Sequence, residues 1–244
     1  MSEQEYQRAR LHPAIHVERV FTRFTLSQRW EHALLMLSVV VLLLTGLPQK
    51  YRAEPWSQQL LSTPERVFLF QTVHRVAAVL LILVALYHLG KAIYQIARRR
   101  LSADIFISWQ DFRDAGQMVA YLLFLRKQKP AFGKYNFEQK VTYWFTFIGV
   151  GIMILSGLVL WFPELVTRFL PGRIVPAAKL AHSAEALVLG IFIVIWHIYH
   201  VHLERANLSI FTGKINEKDM QTYHTLEYQR LIESPTSEQG GGQP

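Results

Sequence analysis

The chain of 244 residues contains no cysteine. That absence excludes iron–sulfur clusters, thiolate haem ligation, covalent c-type haem attachment and disulfides. Acidic residues are also scarce, with 18 Asp and Glu against 26 Lys and Arg for a formal charge of +8. No cleavable signal is visible either, because the opening MSEQEYQRARLHPAIHVERVFTRF mixes charges of both signs and has no apolar stretch. Apart from a Ser-, Gly-, Pro- and Gln-rich tail from about Glu233, which is expected to be disordered, no low-complexity segment or internal repeat is evident.

Hydrophobic residues make up 51% of the chain and are collected in long runs rather than spread at amphipathic spacing. The clearest runs are 33–47, 67–96, 141–162 and 184–198. With their flanks each reaches the roughly 20 residues that a helix needs to cross the hydrocarbon core. The expected fold is an all-α integral membrane protein, a bundle of four transmembrane helices. Between helices two and three, residues 105–125 mix Trp109, Phe112, Met118 and Tyr121 with Asp111, Arg113 and Asp114. This pattern predicts a cytoplasmic interfacial helix on the membrane surface or against a partner subunit. The expected organisation is an N-terminal segment 1–28, a membrane domain 29–203 that includes the cytoplasmic segment 98–140, and a C-terminal tail 204–244.

The positive charge reports orientation rather than nucleic-acid binding. Arg8, Arg10, Arg19, Arg23 and Arg29 precede the first helix, and Arg98, Arg99, Arg100, Arg113, Arg126, Lys127, Lys129, Lys134 and Lys140 lie between the second and third. The other two loops carry only Lys50, Arg52 and Arg66, and Arg168, Arg173 and Lys179. The positive-inside rule therefore puts both termini and the middle segment in the cytoplasm.

Histidines are the chemistry-bearing residues. His74 and His88 on helix two are about 40° apart in azimuth and about 21 Å apart in height, and His182 and His197 on helix four about 60° and about 22 Å. Ionisable side chains at such depths are costly and point to function. His74 and His182 share the outer depth and suit bis-imidazole ligation of one haem iron. At the inner depth His197 has two candidate partners, His32 and His88, and spacing alone prefers His88. His200 reads as interfacial or propionate-contacting and His202 as structural, while His12, His16 and His224 fall in polar segments. Arg75 suits a haem propionate, its alternative being a snorkelling arginine. Glu185 is unusually deep for a carboxylate.

The segments RFTLSQRWEHALLMLSVVVLLLTGLP, HRVAAVL, GKYNFEQKVTYWFTFIGVGIMILSGLVLWFP, LAHSAEALVLGIFIVIWHIY and TGKINEKDMQTYHTLEYQRL span nearly the whole chain. They resemble the membrane-embedded cytochrome b (gamma) subunit of respiratory formate dehydrogenases, which in turn resembles the b-type cytochrome subunits of nickel–iron hydrogenases. The resemblance implies two haems b, an outer one on His74 and His182 and an inner one on His32 and His197. It also implies a quinone near Asn136, with Glu138 and Lys140 close by. The chain departs from the family pattern in carrying His88 and in a His182–His197 interval one residue too long. A third haem through His88 stays open.

The function expected is that of a dihaem cytochrome subunit in a bacterial cytoplasmic membrane, linking a periplasmic redox partner to the quinone or menaquinone pool. Its partners would be membrane lipid and an iron–sulfur or multihaem cytochrome c subunit, with no catalysis by this chain alone. Two alternatives are a haem-binding anchor without quinone chemistry and a histidine-based metal-ion transporter. Reporter fusions at Ser57 and Ser102 are expected to give opposite signals, and equal signals would overturn the orientation.

Overall fold

The computed structural model describes residues 19–99, 103–128, 132–203 and 208–233. Outside them lie Arg8, Arg10, His12, His16, Arg100, Lys129 and the tail from residue 234, together with the side chains of His200 and His202. The elements run β1 (Val20–Thr22), α1 (Leu26–Lys50), α2 (Pro55–Leu60), α3 (Pro64–Ala97), α4 (Trp109–Leu122), α5 (Phe137–Trp161), α6 (Pro163–Val166), α7 (Ile174–Phe192), α8 (Ser209–Thr212), β2 (Lys214–Asn216), α9 (Glu217–Tyr223) and α10 (Thr225–Glu233). From Ile193 to Leu203, α7 continues as a π-helix. Four helices, α1, α3, α5 and α7, are long and apolar enough to span a membrane.

α1 packs along α3 and α5 along α7, with a lesser contact between α1 and α7. The four meet at mid-height, where Leu81 of α3, Val150 of α5 and Leu189 of α7 are buried among Leu35, Val39 and Leu42 of α1. Buried small hydroxyl residues let the backbones approach, and each is satisfied by its own helix. Ser38 Oγ donates to Leu34 O (2.7 Å), Thr45 Oγ1 to Val41 O (2.7 Å) and Ser156 Oγ to Ile152 O (2.6 Å).

A repeat that the apolar runs conceal relates the two helix pairs. Both α1 and α5 are 25 residues long and begin with a capping box, Thr25 with Gln28 and Asn136 with Gln139. One offset of 111 positions carries Thr25 to Asn136, Gln28 to Gln139, Thr45 to Ser156 and Gly46 to Gly157. Because helices one and three run in the same direction, this is a parallel repeat about an axis along the bundle. Lipid-facing positions interchange Leu, Val, Ile and Phe freely, so only caps, hydroxyls and glycines retain it.

The two segments expected to be separate termini fold together at one end of the bundle, hereafter the cap end. β1 pairs antiparallel with β2, Val20 opposite Asn216 and Thr22 opposite Lys214. Gly213 turns the chain into β2 at φ +78°, and its carbonyl accepts from Arg23 N (2.8 Å) and Phe24 N (3.2 Å). His224 is buried, not surface-polar, with Nδ1 3.2 Å from Gly133 O. Arg23 donates to Lys134 O (2.8 Å), which ties the strand pair to the start of α5.

α4 is fastened to the same level. Lys140 on α5 forms a buried ion pair with Asp111 (2.8 Å) and donates to Phe106 O, while Trp144 Nε1 donates to Ile105 O (3.1 Å). Burial alone would raise the Asp111 carboxyl, but hydrogen bonds from Lys140 and Ser108 outweigh it and hold the group below its ordinary value. A carboxylate depressed on folding adds stability above its unfolded pKa and loses it as pH falls through the folded one. Asp111→Ala leaves Lys140 buried and unpaired, at a cost of about 3–5 kcal/mol. Limited proteolysis is therefore expected to cut the α4 segment faster in this variant, and in the parent protein at strongly acidic pH; equal cutting would show that the pair does not hold α4.

Candidate functional site

Two pairs of imidazoles face each other across the bundle at different heights. His74 on α3 and His182 on α7 have ring centroids 6.4 Å apart with planes at 70°. His32 on α1 and His197 on the π segment have centroids 6.1 Å apart with planes at 41°. With a metal–imidazole bond of about 2.0 Å and a nitrogen about 1.1 Å from its ring centre, two imidazoles trans on one metal stand about 6.2 Å apart. Both pairs fit a bis-histidine iron.

The first pair is prepared for that role by its neighbours. His74 Nδ1 lies 2.9 Å from Thr45 Oγ1, and His182 Nδ1 lies 3.0 Å from Ser156 Oγ. Each hydroxyl already gives its proton to a helix carbonyl, so its oxygen accepts Nδ1–H and leaves the lone pair on Nε2. Such a second hydrogen bond fixes tautomer and ring orientation. Beside each hydroxyl stands a glycine. A Cβ on Gly46 would be 3.1 Å from His74 Cε1, and one on Gly157 would be 3.2 Å from His182 Cε1. The two halves of the repeat thus supply one imidazole each, with the same Thr/Ser–Gly support.

The second pair depends on the π-helix. A π turn takes about 4.4 residues, or about 82° per residue, so the steps from Ile193 to His197 remove about 70–90° from the α-helical azimuth. This leaves His197 within about 30° of the face that carries His182. The residue by which the His182–His197 interval exceeds the family pattern falls with this π segment. The ring contact of Phe145 with Phe192 (4.2 Å) and a bond from Trp196 Nε1 to Thr142 Oγ1 (3.0 Å) hold the stretch against α5.

His88 is not the partner of His197, against what spacing alone prefers. Its Nδ1 is 2.8 Å from Glu31 Oε2 and its Nε2 is 3.1 Å from Tyr143 OH, so both ring nitrogens have partners other than His197. The residues expected beside a quinone lie at the start of α5 and in its first turn. Asn136 is 3% exposed and its Oδ1 accepts from Gln139 N (2.8 Å) as a helix cap. Lys140 is committed to Asp111. Glu138 sits part-buried in the first turn of α5. Arg75 is exposed and lies over the Trp161 ring at 5.8 Å. The Glu185 carboxylate rests against the bare backbone at Gly149, where a Cβ would meet Oε1 at 2.6 Å. Among the described residues no three His, Asp or Glu gather to hold a metal ion.

A four-helix membrane bundle with facing imidazole pairs is the architecture of a membrane cytochrome b. Residues 23–213 match the family model described as prokaryotic cytochrome b561, and the chain belongs to that family. It is a multi-pass membrane protein of b-type cytochrome class, whose cofactor is haem b. Among similar proteins, the "Formate dehydrogenase, cytochrome b556(fdo) subunit" of Escherichia coli K12 is 24% identical over 183 residues, covering 72% of this chain and 76% of the relative. The "Formate dehydrogenase, nitrate-inducible, cytochrome b556(Fdn) subunit" of the same organism is 24% identical over 100 residues, or 41% of this chain. That match spans 45% of the relative's length.

Valine at Gly46 or Gly157 would drive a branched side chain into an imidazole. Gly46→Val and Gly157→Val are each expected to lose part of the reduced b-type absorbance, whereas Gly151→Ala, which meets open space, is expected to leave it unchanged. Equal spectra in all three would show that the close approach does not matter to haem.

Proposed function

We propose that the chain carries electrons through the membrane on two haems b, one held by His74 and His182 and the other by His32 and His197. The observation that carries this reading is the presence of two imidazole pairs, 6.4 and 6.1 Å between ring centres, at two levels of a single bundle. Haem iron bound at each pair supplies reversible one-electron chemistry, its potential tuned by ligand hydrogen bonds and burial. The chain's own residues orient the ligands: Thr45 and Ser156 hold the Nδ1 protons, and Leu81, Val150 and Leu189 keep the space between the two levels apolar. Positive charge puts the cap end in the cytoplasm, so the His32/His197 site is the inner one.

On this reading the cytochrome is one subunit of a respiratory complex and is not catalytic alone. The two E. coli relatives are named as formate dehydrogenase subunits, which supports a redox partner of that kind on the outer side, such as an iron–sulfur or multihaem cytochrome c subunit. The quinone pool is the lipid-phase partner, and quinone reduction consumes two electrons and two protons per molecule. At the inner level α4 would lie on the membrane surface, since Trp109, Phe112, Val119 and Leu122 are exposed there.

Dithionite-reduced protein is expected to show a low-spin b-type spectrum with two haems per chain, of which His74→Ala and His182→Ala each lose one. One haem or none in the parent protein would sink the two-site reading. Retention of both haems in His182→Ala would remove that histidine from the ligand set.

A further inference from the structure

Between the two histidine levels the bundle holds a single ionisable side chain. Residues 33–49 of α1, 76–86 of α3 and 144–161 of α5 contain no Asp, Glu, His, Lys, Arg or Tyr. Residues 183–196, in α7 and its π continuation, contain only Glu185. The titratable groups that bound this interval are His74 and His182 at one level, and His32, His197, His88, Glu31 and Tyr143 at the other.

The carboxyl group has a place prepared for it. Val188 and Ile191 are the exposed positions of α7, whereas Glu185 is part-buried and its carboxyl lies against α5. A Cβ on the buried Gly149 would stand 2.6 Å from Glu185 Oε1 and 3.3 Å from Leu189 Cδ1, so glycine at this position leaves room for the carboxyl beside the apolar core. Gly149 is eight positions from Gly157, which faces His182, and seven from Thr142, which bonds Trp196 beside His197. On an α-helix these intervals are about 12 and about 10.5 Å, so the carboxyl sits midway between the two imidazole pairs. Among the described residues none donates a hydrogen bond to it or pairs with it.

An unpaired carboxylate in apolar surroundings is costly, and it is relieved by binding a proton or by positive charge nearby. Two unit charges about 11 Å apart, at an effective dielectric of about 20, change an equilibrium constant by about tenfold. An electron removed from either histidine level therefore favours the carboxylate, and an electron added favours the acid. We infer that Glu185 is a redox-linked proton site at the middle of the membrane. Its carboxylate takes one proton from water when an electron arrives at either imidazole pair and returns it when the electron leaves; only the carboxyl O–H bond forms and breaks. This rests on the two-haem function proposed above. A cation on a neighbouring helix is disfavoured as the partner of Glu185, because the carboxyl is turned inward to α5 rather than toward lipid.

The test is redox potentiometry of the full-length, haem-loaded protein across a range of pH, read from the b-type absorbance. In the parent, both midpoint potentials are expected to fall from an acid to an alkaline limit by a tenfold change in equilibrium constant, about 59 mV for a one-electron couple. The nearly isosteric Glu185→Gln is expected to keep two haems, to lose this dependence and to hold both midpoints at the parent's acid limit. In the infrared, reduction of the parent is expected to add a carboxylic acid C=O band that shifts in D2O and is missing from Glu185→Gln. Midpoints independent of pH in the parent overturn the site. A pH dependence or an infrared band that survives in Glu185→Gln also overturns it, by assigning the proton to another group. Should Glu185→Gln fail to take up haem, Gly149→Ala decides, since its methyl enters the place of the carboxyl: a pH profile identical to the parent's overturns the site. Parent protein without two b-type haems overturns the two-haem function and the site with it, an outcome visible in the spectrum before any titration.

Discussion

A histidine inside a bilayer has two ring nitrogens and no water to satisfy them, and the bundle is organised around that requirement. Where the imidazoles face each other at the His74/His182 level, each Nδ1 is taken by a hydroxyl whose own proton is committed to a helix carbonyl. The chain of donation runs one way, from imidazole to hydroxyl to backbone, and leaves one lone pair per ring aimed into the bundle. A glycine must stand beside each hydroxyl because the ring approaches the helix backbone there. Helix spacing, ring orientation and tautomer thus follow from one local arrangement made twice.

The duplication explains the architecture better than four independent helices do. α1 and α5 share their caps and their hydroxyl–glycine steps, and they support histidines on α3 and α7. The site built from both halves lies on the relation between them. The site nearer the cap end does not, and there the halves have diverged: one combination is His32 with His197, the other Tyr143 with His88. A single inserted residue, accommodated as a π-helix, goes with the imidazole pair. A glutamate and a lysine go with the phenol.

Charge serves the structure at the cap end in a second way. Arg23, Arg29 and Lys140 each bind a carbonyl or carboxylate that joins distant parts of the chain. The strand pair, the start of α5 and α4 are connected in this manner. The Lys140–Asp111 pair is buried, and such a pair costs desolvation that is repaid only while both partners are present.

Much of this was legible in the residues themselves. Four apolar runs dictate four spanning helices because a bilayer tolerates no unpaired backbone, and histidines at fixed depths announce metal chemistry because their burial is otherwise costly. The absence of cysteine narrows that chemistry to non-covalent, histidine-bound cofactors. Only the tertiary structure decided which histidines meet. Spacing along one helix favours His88 for the inner pair, but facing is a property of two helices, and the π segment rotates His197 toward His32 on α1. The cap end was equally hidden, since β1 and β2 lie almost two hundred residues apart and three-residue strands leave no periodic signal. The cap that Asn136 makes with Gln139 and the pair that Lys140 makes with Asp111 likewise join groups that the sequence alone does not match. Composition sets what each segment must bury, but the partner that satisfies a buried polar group comes from elsewhere in the chain, and packing alone selects it.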